Sequence, residues 1–147
     1  MPADMTHAQH LAQMKDDELK RRGALAMGFD QDKTSHHFLL AADGGSIDVR
    51  VNDAADEQNL NAIRVHLKEI AAEFSRGVFD KPFATHNEAP PGVSTMRKRR
   101  TRITFQFEET ASGGRVRIST RDAQAKAAVH AFLRYQIREH TTGDPMR

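Results

Sequence analysis

The sequence predicts an α+β fold: two ββα units forming a four-stranded antiparallel sheet with helices on one face, plus an N-terminal helical arm. Three observations predict it. Apolar and polar residues alternate in four short segments, a Gly-Gly pair lies between the members of each pair of segments, and a stripe with three- and four-residue spacing follows each pair. At 147 residues the chain can bury one core of ordinary size and is too short for two.

Residues 1–28 read as a polar N-terminal arm carrying a helix. Leu11, Met14, Leu19, Leu25 and Met27 give it only a patchy apolar face, and Gly23 and Gly28 weaken its far end. Residues 29–147 form a single domain: a first ββα unit over 34–76, a long loop over 77–100 and a second unit over 101–141.

In the first unit Phe38 and Leu40 alternate with His37 and Leu39, and Ile47, Val49 and Val51 with Asp48 and Arg50. Asp43-Gly44-Gly45 supplies residues that accept positive φ, so a tight hairpin turn is expected there. That register pairs Leu40 with Ile47 and Phe38 with Val49, directs His36 inward beside Val51, and turns His37 outward beside Arg50. Asp53 is the expected helix cap, and Leu60, Ile63, Leu67, Ile70 and Phe74 form the stripe behind it.

The loop holds three prolines and few periodic positions, with Phe79, Phe83, Val93 and Met96 expected to pin it to the core. The second unit repeats the first: Ile103, Phe105 and Phe107, a turn at Ser112-Gly113-Gly114, then Val116 and Ile118. Asp122 caps a last helix whose inner stripe holds Val129, Leu133 and Ile137. Gly45 precedes Asp53 by the same distance as Gly114 precedes Asp122, and each helix carries a Val-His pair, Val65-His66 and Val129-His130. These matches favour a pseudo-symmetric sheet.

Several classes of function fall away on composition. Without cysteine there can be no disulfide, thiolate metal site, iron–sulfur cluster or cysteine nucleophile. No apolar run approaches a membrane span, and the opening residues show no secretory signal. A cytoplasmic location is therefore expected, or a periplasmic one for a processed or trimmed form. The sequence shows no P-loop, no dinucleotide glycine fingerprint, no G-x-S-x-G elbow and no HExxH, so an enzymatic role has no motif behind it.

Eight histidines are the unusual feature. His7 and His10 fall in the arm. His36 points inward from its strand, His66 lies near the stripe of the first long helix, and His86 sits on the long loop. His130 lies at the edge of the last helix's stripe and His140 near its middle. Imidazole is the commonest metal ligand, and an all-nitrogen set suits Cu or Zn. The expected metal ligands are therefore His36, His66, His86, His130 and His140, with no organic cofactor indicated.

Arg97-Lys98-Arg99-Arg100 and Arg102 lead into the second hairpin, and Arg50, Arg115 and Arg117 lie on the sheet face away from the helices. Readers of single-stranded RNA stack bases on exposed aromatics, whereas the strand aromatics here all point inward, and Asp48, Glu108 and Glu109 dilute the charge. Nucleic-acid binding is therefore not expected. A homodimer formed through the Arg-bearing face is the alternative reading.

The stretches AMGFDQDKTSHHFLL, IRVHLKEIAAEF, THNEAPPGV, GGRVRIST and AVHAFLRYQIREHTTGD resemble a family of small uncharacterised bacterial proteins, some of them automatically named aspartate carbamoyltransferase. A transcarbamoylase needs two α/β domains and a phosphate-binding motif, which this pattern does not supply. What the resemblance does imply is a shared histidine site at His36, His66, His86, His130 and His140, and, because some members carry an export signal, a periplasmic origin. The function expected is a small histidine-rich protein binding a transition metal of the Cu or Zn class for carriage, sensing or resistance, without turnover. The alternative is a structural or interaction module acting as a dimer.

Overall fold

The computed structural model of the chain describes residues 32–81 and 89–147; the N-terminal arm, Phe83 and His86 lie outside them. Among the described residues the elements run in the order β1 (Thr34–Ala41), β2 (Gly44–Val51), α1 (Glu57–Ser75), α2 (Val93–Lys98), a 3-10 turn (Arg100–Arg102), β3 (Ile103–Thr110), β4 (Gly113–Thr120) and α3 (Ala123–His140). The four strands make one antiparallel sheet in the order β1-β2-β4-β3, so the fold is α+β, as the alternation in four segments predicts.

Strand parity follows directly from the sequence. Phe38, Ile47, Val49, Val51, Ile103, Phe105, Val116 and Ile118 are buried on one face, and Leu40 and Phe107 pack against them. The helices cover this face through the stripes expected of them: Ile63, Leu67, Ile70 and Phe74 on α1, and Val129, Leu133 and Ile137 with Phe132 on α3. Each helix lies over the other unit's hairpin, α1 on β3 and β4, α3 on β1 and β2. Neither unit can therefore cover its own apolar face, and the two make a single core.

The turns correct the predicted register. The hairpin loops are Ala42-Asp43 and Ala111-Ser112, so Phe38 faces Ile47, His36 faces Val49, Leu40 faces Gly45 and His37 faces Asp48. The Gly-Gly pairs open β2 and β4 instead of forming turns. The reason is tertiary: β2 and β4 pair with each other at the sheet centre. A Cβ on Gly44 would lie 2.2 Å from the Ile118 carbonyl oxygen, and one on Gly113 would lie 1.9 Å from that of Val49.

Helix entry is also corrected. Asp53 Oδ1 accepts from the Ala55 amide, and the cap of α1 is Asp56, which accepts from the Asn59 amide. Asp122 caps α3 as expected, accepting from the Ala125 amide. The stretch read as irregular contains α2 and the 3-10 turn, anchored by buried Val93 and Met96.

The pseudo-symmetry is close in register. Residues of the first hairpin match those 69 positions later: Ala41 and Gly44 close one hairpin as Thr110 and Gly113 close the other. The β2–β4 ladder is symmetric about the facing pair Ile47 and Val116. The helices match from their caps, Asp56 with Asp122, an offset of 66, because the link from β2 to α1 is three residues longer than that from β4 to α3.

Candidate functional site

His36 enters from the inward face of β1, and His140 from the last turn of α3, which lies over that strand. Their rings are nearly parallel, at 7°, with centroids 5.6 Å apart. Phe38 packs against both, 5.4 Å from His140 and 6.4 Å from His36. Desolvation in this packed setting, aided by the charge of neighbouring His37, lowers the His36 pKa from 6.5 to about 4. His36 is thus neutral near pH 7, the form in which an imidazole nitrogen ligates a metal.

The internal repeat gives this pair its meaning. In register, His36 corresponds to Phe105 and Phe38 to Phe107; by helix cap, His140 corresponds to Phe74. Phe74 and Phe105 also pack on each other, 5.7 Å apart and edge to face. One half of the molecule therefore fills this place with two phenylalanines and the other with two histidines. Imidazole brings polar nitrogens to a place where the other half of the molecule has only phenyl rings.

The other histidines are distributed. His66 corresponds to Phe132, which packs 6.0 Å from Phe74; its Nδ1 lies 3.5 Å from Glu69, beside Lys81 bound to Glu73 at 2.7 Å. His130 donates Nε2–H to the Ala41 carbonyl at 2.8 Å, which leaves Nδ1 as its second nitrogen. The Val-His repeat of the sequence does not align these two in space. His130 corresponds to Arg64, which donates to the Thr110 and Gly113 carbonyls. His86 lies outside the described residues, and among the described residues no three His, Asp or Glu side chains gather as a metal-holding group.

No known protein family, curated protein or solved structure matches this chain.

The outer sheet face is less cationic than its arginine content suggests. Arg115 forks onto Asp48 at 2.9 and 3.0 Å, with Glu108 on its far side at 3.6 Å. Arg117 donates to the Gly45 and Ile118 carbonyls and to Asp43. Both guanidinium groups are thus committed within the sheet. No described helix is long and apolar enough to cross a membrane.

Sequence reasoning missed one arrangement beside the histidine pair. His37 donates Nδ1–H to Asp144 at 2.9 Å, and the same carboxylate accepts the Phe38 amide of edge strand β1 at 3.0 Å. Burial opposes ionisation of Asp144, but the hydrogen bonds from His37, Thr142 and Phe38 outweigh it and hold the pKa below the ordinary value. The residues after α3 are thereby tied to β1, next to His36 and His140. The outward parity of His37 was the only sequence signal for this clasp.

Proposed function

We propose that the chain binds a transition metal of the Cu or Zn class through its histidines, for carriage, sensing or resistance, and without turnover. The observation that carries this reading is the His36–His140 pair, standing where the other half of the molecule has Phe105 and Phe74. The two rings are 5.6 Å apart and nearly parallel, so a shared ion held at about 2.0–2.1 Å through nitrogen requires them to turn toward it. A neutral His36 needs no proton removed before it ligates. Two protein ligands leave the ion's remaining positions to water or an exchanging donor, which suits transfer better than permanent structural binding.

The test is titration of Zn(II) or Cu(II) into metal-free protein lacking any affinity tag. The expected result is stoichiometric binding, lost in the His36→Phe/His140→Phe protein. Binding unchanged in that variant, or removed only with His7 and His10, would sink the proposal.

A further inference from the structure

Two clefts of similar size occupy related places in the two units and carry opposite charge. The first, about 440 Å³, is lined by Asp32, Lys33, Asn52, Asp53, Ala55 and Asp56. The second, about 410 Å³, is lined by Thr95, Lys98, Arg99, Thr101, Arg102 and Gln124. In register Thr101 stands for Asp32 and Arg102 for Lys33, while Asp122, beside the second cleft, stands for the cap Asp56. The fold itself therefore does not require a cationic cleft at this place. Thr95, Lys98 and Arg99 come from the segment that joins the two units.

We propose that this second cleft binds a phosphorylated small molecule through its phosphoryl oxygens. Three cations face one carboxylate: Arg99 is bound to Asp122 at 2.7 Å, whereas Arg102 reaches it only at 3.7 Å and is largely exposed. The Ala125 amide, then Arg99 and Arg102, keep the Asp122 carboxyl below the ordinary carboxylate range, so it stays ionised and holds Arg99 in place. Two positive charges remain in excess, matching a phosphoryl dianion, and two threonine hydroxyls and the Gln124 amide add neutral donors. Among the described residues the lining carries no large apolar side chain, which argues against a hydrophobic ligand.

The cations stand on a fixed base. Met96 and Val93 are buried, and Arg97 donates from Nε to the Gly77 carbonyl at 3.1 Å, so α2 holds Lys98 and Arg99 without ligand. A preformed site loses less on binding than one that must order itself.

Pyrophosphate and inorganic phosphate titrated into the full chain, followed by amide NMR shifts and calorimetry, test the proposal. Saturable binding is expected, with shifts centred on residues 95–102 and Gln124 and affinity falling as salt rises. The Lys98→Ala/Arg102→Ala protein, altered only at exposed side chains, should melt as the parent does and bind at least tenfold more weakly. Lys33→Ala, in the acidic cleft, should bind as the parent does. Absence of saturation, or equal affinity in the double variant, overturns the proposal. So does a single-stranded oligonucleotide that binds more tightly than pyrophosphate and is not displaced by it.

Discussion

Arg64 and His130 perform the same task in opposite directions: each donates from its helix to the carbonyl that closes the other unit's hairpin. Arg64 reaches Thr110 at 2.8 Å and Gly113 at 3.0 Å, and His130 reaches Ala41 at 2.8 Å. Ala41 and Thr110 are the corresponding residues of the two hairpins. Removing the donor leaves a part-buried carbonyl without its partner. Arg64→Ala should cost about 2 kcal/mol and His130→Ala about 1 kcal/mol in urea unfolding. Arg64→Lys should recover little, because one ammonium cannot reproduce the two-pronged fork. Equal stability of all three proteins with the parent would remove the capping role.

The His36→Phe/His140→Phe protein separates packing from function. It places in the first half the pair already accommodated as Phe105 and Phe74 in the second. Its melting temperature should stay close to the parent's, because the matching place in the other half already packs this pair of rings. Metal binding should vanish in the same protein. A large loss of stability would show that the imidazole nitrogens hold the structure.

The His36 pKa fixes a pH dependence for the metal-free protein. Its folded value of about 4 lies below the ordinary 6.5, so between these pH values the unfolded chain binds the extra proton. Stability is full above about pH 6.5 and falls as pH drops toward 4, by about 1.4 kcal/mol per unit and about 3 kcal/mol in all. Urea midpoints measured across this window should show the slope in the parent, and His36→Phe should flatten it. The Asp144 clasp acts in a different window. Its lowered carboxyl contributes above the unfolded carboxylate pKa, about 3.9, and is lost as pH falls through the folded value.

Gly44→Ala and Gly113→Ala should each cost more than about 3 kcal/mol. The added Cβ meets the backbone of the facing central strand and not a yielding side chain, so β2 and β4 must separate to admit it. Gly143→Ala, with open space around the Cβ, is the comparison, although its φ of 75° still carries strain. Thermal melts that rank Gly143→Ala as the worst of the three would contradict the crowding explanation.

Leu67→Ala and Phe105→Ala should destabilise by roughly 2–5 kcal/mol, since each opens a cavity under a helix that covers the other unit's strands. Arg117→Ala should cost about 1 kcal/mol, because it holds two carbonyls and Asp43 on a partly exposed face. Calorimetry that finds Arg117→Ala worse than Leu67→Ala would place that face in an interface.

Parity, helix stripes and the repeat were legible because each is a local pattern. A side chain two residues along a strand shares a face, and one three or four along a helix shares a stripe, whatever the rest of the chain does. Those rules set Phe38, Phe105, Leu67 and Leu133 inside, and pointed His36 and His140 toward the core. Turn position was not legible. Gly44-Gly45 and Gly113-Gly114 have the composition of turns, yet their role is to let a strand from the other unit approach. Cap choice failed for a related reason: Asp53 and Asp56 both suit the position, and the longer link selects the second.

The amino-acid sequence by itself determined the α+β class, the inward faces, the repeat and a set of histidines that look toward the core. Only the tertiary structure decided that each helix crosses onto the other unit's hairpin. That crossing brings His140, at the end of the chain's last helix, onto His36 of its first strand, and sends His130 to a turn carbonyl instead. The physical reason is one of range. Periodicity fixes which way a side chain points from its own backbone, but its partner depends on which elements pack together, a balance over the whole core that no local spacing records.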